Sequence, residues 1–89
     1  MPSISMFYGI VIYMYVEEGE KHHLPHVHAR YAGEDASFDL ENGDKLAGKF
    51  PPKQTSFVKT WILLHQEELR ANWSLLSAGD TVYKIDPLR

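Results

Sequence analysis

The sequence predicts an α+β fold, in which a four-stranded antiparallel meander has one face covered by a long C-terminal helix. Two observations lead to this prediction. The first half of the chain alternates apolar and polar residues between turn signals, which is typical of short strands with one buried face. The second half repeats its apolar residues at helical spacing. At 89 residues, the whole chain, 1–89, fits a single domain.

The composition narrows the classes of function. Hydrophobic residues make up 44% of the chain and charged residues 24%, as in ordinary globular domains. The net charge of −3 argues against strong non-specific attraction to nucleic acid or anionic lipid. The absence of cysteine excludes disulfides, thiolate zinc sites and cysteine nucleophiles. The long apolar run, residues 6–16, is about half as long as a membrane-spanning helix and lacks signal-peptide features. We therefore expect a cytoplasmic protein with no membrane partner.

The first predicted strand covers residues 7–16, where β-branched and aromatic residues are dense. Because side chains alternate along a strand, the aliphatic residues at even positions are expected to face the core. These residues are Ile10, Ile12, Met14 and Val16, and the opposite face carries Val11, Tyr13 and Tyr15. Residues 17–25 are polar and contain Gly19 and Pro25, which predicts a loop.

The second and third predicted strands, residues 26–32 and 35–40, form a hairpin. The second strand alternates two sets of side chains, Val27, Ala29 and Tyr31 on the core face and His26, His28 and Arg30 on the other. A two-residue turn with Gly33 at its first central position is typical of type II′. That turn places His28 opposite Asp39.

The fourth predicted strand covers residues 45–50. A three-residue loop, Glu41-Asn42-Gly43 with a left-handed Gly43, keeps the apolar residues of this strand on the core face. It places Phe38 opposite Leu46. The outer face of the meander is then expected to carry two tyrosines, two histidines, an arginine and an aspartate: Tyr13, Tyr15, His26, His28, Arg30 and Asp39.

The helix is predicted over residues 52–78, because Pro51 and Pro52 end the fourth strand and proline is favoured in the first turn of a helix. Its apolar residues form a stripe expected to cover the core face of the sheet: Phe57, Val58, Trp61, Ile62, Leu69, Trp73 and Leu76. A helix of about 25 residues is long for this chain, which leaves room for a break near Ala71 or Asn72.

His65 lies near the centre of the apolar stripe, and we expect a core histidine that bonds to backbone or to Asn72. In a two-layer fold, the helix does not reach the outer face of the sheet, so His65 is not expected to join the other histidines. Leu63 falls on the polar side of the helix and is expected to be exposed. The tail, residues 80–89, either docks along an edge of the sheet or stays mobile.

The clearest chemical signal is a group of four histidines, His22, His23, His26 and His28, within seven positions. His26 and His28 are expected to project from one strand face about 7 Å apart, a spacing at which two imidazoles bind one divalent ion such as zinc. Asp39, expected opposite His28, is a candidate third ligand or a carboxylate that orients the ring. The alternative is an ordinary outer face stabilised by cross-strand pairs.

A metal-free alternative uses a histidine of this face as general acid or base in RNA cleavage. Arg30 would stabilise negative charge on the phosphate, and Tyr13 and Tyr15 would stack on unpaired bases. The catalytic candidates are His26, His28, Arg30 and Asp39, and the binding candidates are Tyr13, Tyr15 and Arg30. The many acidic residues in the same half of the chain argue against this activity.

Several segments resemble one known family. They are Met1-Pro2-Ser3-Ile4-Ser5, Phe7-Tyr8-Gly9-Ile10-Val11-Ile12, Pro25-His26-Val27-His28-Ala29-Arg30-Tyr31, Trp61-Ile62-Leu63-Leu64-His65-Gln66-Glu67-Glu68-Leu69 and Asn72-Trp73. Together they resemble the small prokaryotic family called domain of unknown function 4160. The Pro-His-x-His-Ala motif of that family falls on Pro25, His26, His28 and Ala29, whereas His22 and His23 look peculiar to this sequence.

The resemblance implies a stand-alone bacterial protein whose gene tends to lie beside another small uncharacterised gene, an arrangement suggestive of a toxin and antitoxin pair. It implies no established activity. Two hypotheses follow. In the first, the protein is a partner-binding component of such a two-gene module, and its outer sheet face or the back of its helix meets the neighbouring protein. In the second, the histidine-lined face belongs to a ribonuclease-type toxin, with or without a metal.

Overall fold

The computed structural model describes residues 3–15 and 24–89. It confirms an α+β fold built on an antiparallel sheet. Within these residues the sheet has five strands rather than four, and two helices replace the single predicted one. The strands lie side by side in chain order: β1 (Ser3–Phe7), β2 (Ile10–Tyr13), β3 (His26–Tyr31), β4 (Glu34–Asp39) and β5 (Lys45–Gly48). The helices are α1 (Pro52–Leu64) and α2 (Gln66–Ser77).

The prediction of one strand over residues 7–16 is wrong, because Tyr8 and Gly9 form a turn. Both residues have positive φ angles, 49° and 77°, as in the type I′ turns that match the twist of a hairpin. Phe7 and Ile10 face each other across this turn, and β1 precedes it. The continuous run of β-branched and aromatic residues conceals the turn, since a bulky residue such as Tyr rarely adopts a positive φ.

The predicted faces of β2 and β3 are confirmed. The core residues are at most 1% exposed: Ile10, Ile12, Met14, Val27 and Ala29. Val11, Tyr13 and Tyr15, on the opposite face, are only partly buried. Val16 lies outside the described residues. The outer residue His26 departs from the pattern, because it is only 4% exposed.

The register of the β3–β4 hairpin differs by two residues from the predicted one. Its turn is Ala32-Gly33, with φ angles of 51° and 81°, and is therefore type I′ rather than type II′. As a result, His26 rather than His28 lies opposite Asp39. A shift of two residues leaves every side chain on its predicted face, so only the predicted cross-strand pair is wrong. The sequence conceals this turn because a left-handed alanine costs about 1–2 kcal/mol.

β5 is shorter than the predicted strand, residues 45–50. Gly43 has a φ of 75°, so its predicted left-handed conformation is confirmed. An irregularity in the β4–β5 register places Phe38 opposite Lys45, whereas the prediction placed it opposite Leu46. Leu46 is consequently 45% exposed instead of buried in the core.

The helical region breaks at His65, not near Ala71. His65 has φ −119° and ψ 28°, which ends α1, and its Nδ1 donates to Glu68 Oε1 at 2.7 Å. The prediction of a core histidine that bonds to backbone or to Asn72 is therefore wrong, because the side-chain partner is Glu68 and the His65 side chain is 18% exposed. No glycine or proline marks this break in the sequence, so periodicity alone runs through it. The predicted stripe is confirmed, with its central members fully buried: Val58, Trp61, Ile62 and Leu69.

The C-terminal tail docks along the β1 edge of the sheet, one of the two predicted alternatives. The backbone N–H of Ile85 donates to the carbonyl oxygen of Ile4 at 2.8 Å. Asn72 Nδ2 donates to the Tyr83 carbonyl oxygen at 2.7 Å, and the Tyr83 N–H donates to Asn72 Oδ1 at 3.0 Å. These two bonds satisfy the buried amide of Asn72 and attach the tail to α2.

Candidate functional site on the outer sheet face

The strand register brings the candidate residues together on the sheet face opposite the core. Tyr13 of β2 lies opposite His28 of β3, and His28 lies opposite Ser37 of β4. In the next row, Val11 lies opposite Arg30. The buried apolar residues of the two helices, Val58, Trp61, Ile62 and Leu69, pack into the core, on the other side of the sheet. Candidates from adjacent strands therefore share one surface.

Four aromatic rings form a cluster at one end of this face: Tyr15, His28, His26 and Trp73. Tyr15 stacks on His28 with ring centroids 4.3 Å apart and ring planes at 13°. His26 meets His28 nearly edge-on at 5.0 Å. Trp73 of α2 lies 5.3 Å from the His26 ring, so the expectation that no helix side chain reaches these histidines is wrong. We call these four rings the aromatic cluster, and such ring contacts are individually stabilising.

The orientation of His26 is fixed by the backbone. Its Nδ1 lies 2.7 Å from the carbonyl oxygen of Leu24. A carbonyl oxygen only accepts, so Nδ1 carries the hydrogen, and Nε2 is the basic nitrogen of the neutral ring. The Nε2 atoms of both His26 and His28 are buried. Orientation by a carbonyl is common among metal-binding histidines, whereas burial keeps both nitrogens from a large substrate such as RNA.

Asp39 lies opposite His26 but is used by the turn that follows it. Its Oδ1 accepts a hydrogen bond from the backbone N–H of Glu41 at 2.7 Å. Within residues 3–15 and 24–89, no group of three or more His, Asp and Glu is placed to hold a metal ion. The remaining proposed ligands, His22 and His23, lie outside the described residues.

The loop after Asp39 is attached to α2 by an ion pair. The Arg70 guanidinium donates to Glu41 through Nη2 at 2.6 Å and through Nε at 3.2 Å. These hydrogen bonds hold the pKa of the Glu41 carboxyl below its ordinary value and raise the pKa of Arg70. Gln66 also donates to the carbonyl oxygen of Glu41. The helical layer thus fixes the loop that begins at Asp39.

Arg30 is an exposed cation of the outer face. Its Nε lies 3.7 Å from Asp35 Oδ1, and the two side chains are 57% and 67% exposed. An exposed pair at this distance contributes little to stability, so it is easily exchanged for another partner. Arg30 is therefore accessible to a carboxylate or a phosphate.

Met6 extends the outer face onto β1. It lies opposite Val11 and is 65% exposed. Sequence reasoning missed this residue, because the predicted first strand began at Phe7. The available signal was Gly9 alone, since glycine favours the positive φ of a hairpin turn and a strand that includes Met6 can precede such a turn.

A comparison with known protein families identifies the family of this chain. Residues 9–74 match the family described as "Domain of unknown function (DUF4160)". The chain belongs to this family. The match to DUF4160 begins in the first hairpin turn and ends in α2, so it includes all four members of the aromatic cluster. A comparison with curated proteins found no match, and neither did a comparison with solved structures. Among the described residues, no helix has the length and hydropathy needed to span a membrane.

Proposed function

We propose that this member of the DUF4160 family is the partner-binding component of a two-gene module and that its outer sheet face binds the partner protein. The supporting observation is that this face presents Met6, Tyr13 and Arg30 from three adjacent strands, with Tyr15 just beyond the end of β2. Met, Tyr and Arg are enriched in protein interfaces, and Tyr and Arg often dominate the binding energy. The family resemblance implies that the partner is encoded by the neighbouring gene, as in a toxin and antitoxin pair.

The rigidity of this surface also supports the proposal. β3 is paired on both sides, so the backbone beneath the face is held in the middle of the sheet. Stacking on His28 restricts the Tyr15 ring, which reduces the rotamer entropy that binding would cost. Among the described residues, the acidic partner of Arg30 is the exposed Asp35, so a partner carboxylate can replace that contact with a bidentate pair. The aromatic cluster then serves as the support of the interface.

The substitution Met6→Asp tests this surface. We expect it to weaken the complex with the neighbouring gene product about tenfold or more, equivalent to about 1.4 kcal/mol, because it buries an unpaired carboxylate in the interface. Isothermal titration calorimetry with the two purified proteins measures the change. Leu63→Asp is the matched control, because Leu63 is 50% exposed on α1, away from the sheet face. The control should change affinity less than about twofold.

Other outcomes would contradict this assignment. The interface would lie on the helical side if Leu63→Asp alone lowered the affinity for the partner, or if it lowered that affinity as much as Met6→Asp does. Failure of the two purified proteins to form a complex would eliminate the partner-binding function itself.

Zinc binding by His26 and His28 is the second candidate function. It is favoured by the bond from His26 Nδ1 to the Leu24 carbonyl, which leaves Nε2 as the metal-binding nitrogen, and by the 5.0 Å separation of the two rings. This candidate predicts stoichiometric zinc binding in calorimetry of untagged protein, and its loss in His26→Ala/His28→Ala. His65→Ala is the control and should bind zinc normally. The absence of stoichiometric binding in the unmodified protein would eliminate the metal site.

Metal-free RNA cleavage remains a prediction from the sequence and has weaker support. It requires a histidine nitrogen within reach of the phosphodiester, but Nε2 of His26 and of His28 is buried. Asp39, a third catalytic candidate, accepts a backbone hydrogen bond in its own turn. Arg30 and Tyr13 of the outer face do keep partial access to solvent. A cleavage assay on single-stranded RNA with the His28→Ala variant addresses this activity directly.

A further inference from the structure

Two hairpin turns at the same end of the sheet hold a non-glycine residue in the left-handed region. Tyr8 has a φ of 49° in the β1–β2 turn, and Ala32 has a φ of 51° in the β3–β4 turn. Type I′ turns favour asparagine, aspartate or glycine at this position. A bulky residue with a positive φ is a strained outlier, and such outliers are concentrated at functional positions. Tyr8 is therefore the turn residue whose side chain calls for an explanation.

Burial of the Tyr8 ring does not explain the strain. The side chain is 57% exposed, so much of it faces solvent. Its packing partner on the helical layer is Phe57 of α1, whose ring centroid lies 5.1 Å away with the planes at 40°. Phe57 in turn packs against the core and is itself only partly buried. The strained turn thus presents an aromatic surface to solvent on a rigid support.

This surface lies beside a positive charge. Lys53 precedes Phe57 by one helical turn, which places both side chains on one side of α1. Lys53 is exposed, and within residues 3–15 and 24–89 it takes part in no ion pair. The helix also contains no acidic residue. We call Tyr8, Phe57 and Lys53 the turn patch.

The turn patch continues from the proposed interface. Met6, which the outer sheet face presents, precedes Tyr8 by two residues in the same hairpin. A partner that covers Met6 therefore reaches the turn. An apolar side chain followed by a carboxylate would complement the two rings and the lysine.

We infer that the turn patch is a second contact region for the partner protein. The partner packs an apolar side chain on the Tyr8 and Phe57 rings and places a carboxylate beside Lys53. The inference rests on the proposed function for the identity of the partner, and it extends the contact from the outer sheet face around the β1–β2 turn to α1.

Tyr8→Asn is the main test, because it gives the turn the Asn-Gly sequence that type I′ favours. Relief of the strain offsets the lost packing on Phe57, so we expect the urea midpoint of unfolding to stay the same or rise. The dissociation constant for the neighbouring gene product, measured by isothermal titration calorimetry, should nevertheless rise about tenfold or more. A tyrosine kept only for the fold would give a lower midpoint and an unchanged affinity.

Ala32→Asn is the matched control for the turn. It makes the same change of backbone preference in the other strained hairpin but removes no ring. We expect the urea midpoint to rise and the dissociation constant to change less than about twofold.

Lys53→Glu tests the charge of the turn patch. It should raise the dissociation constant about fivefold or more, and added salt should reduce this loss. Lys45→Glu is the control, because Lys45 is an exposed lysine of β5 and the substitution changes the net charge equally. Equal losses from both variants would contradict the placement of a carboxylate beside Lys53.

Three outcomes would overturn the inference. The first is a complex that Met6→Asp weakens but Tyr8→Asn does not, which leaves the proposed function intact. The second is an equal loss of affinity from Tyr8→Asn and Ala32→Asn. The third is a dimer, measured by sedimentation, that Tyr8→Asn dissociates, because the occupant would then be a second copy. A complex that Tyr8→Asn weakens but Met6→Asp does not supports the turn patch and contradicts the assignment of the interface to the outer sheet face.

Discussion

Replacing Trp61 with alanine is expected to lower the free energy of unfolding by about 3–5 kcal/mol. Trp61 is completely buried, and its ring centroid lies 5.4 Å from that of Phe7 on β1. Its Nε1 donates to the carbonyl oxygen of Asp86 in the tail at 2.8 Å. One side chain thus joins α1, the sheet and the tail. Since a domain of this length has a total stability of roughly 5–13 kcal/mol, the loss is a large fraction of it.

Urea unfolding followed by far-ultraviolet circular dichroism measures this effect without relying on tryptophan fluorescence. Trp61→Phe is the matched control, because it keeps an aromatic ring in the core but removes the hydrogen bond to Asp86. We expect this control to cost about 1–2 kcal/mol. A loss below about 1 kcal/mol for Trp61→Ala would contradict the central packing role of this residue.

The faces of the strands could be predicted from the sequence, whereas their register could not. Faces depend only on alternation, which Val27, Ala29 and Phe38 maintain whatever the turn. Register depends on which two residues occupy the turn. The structure places a positive φ on Ala32, a residue that seldom adopts it, and so moves Asp39 from His28 to His26. The position of this one turn therefore determines which histidine of the candidate site lies opposite Asp39.

The helix break and the aromatic cluster depend on tertiary packing that a periodic pattern does not report. The chain leaves the helical path at His65 without a glycine or proline, and the apolar stripe continues on both sides of the break. Trp73 belongs to that stripe and also contacts His26 at the start of β3. The expectation that the helices stay on the core side of the sheet holds for the middle of the sheet. It fails at the start of β3, where Trp73 reaches His26.

The cluster also gives the histidines a role that their clustering in sequence did not suggest. His28 supports the ring of Tyr15, and His26 lies between His28 and Trp73, with its Nδ1 bonded to Leu24. Both imidazoles thus contribute as flat, polar packing groups. This arrangement stabilises the proposed interface whether or not the histidines also bind a metal ion.

Gly48→Ala is expected to lower the free energy of unfolding by about 2–4 kcal/mol. Gly48 has a φ of 90°, and a Cβ built on it would lie 2.3 Å from the carbonyl oxygen of Asp35 and 2.8 Å from the Cα of Ala36. Both obstructing atoms are backbone atoms of β4, so no side-chain rotation relieves the clash. The variant must therefore separate β5 from β4 or distort the hairpin.

Gly33→Ala is the control that measures the cost of a positive φ alone, without the steric clash expected for Gly48→Ala. Gly33 also has a positive φ, 81°, but a Cβ on it would meet no atom within 4 Å, so this control should cost only about 1–2 kcal/mol. Urea unfolding of both variants gives the difference, and equal losses would show that the close approach to β4 is unimportant.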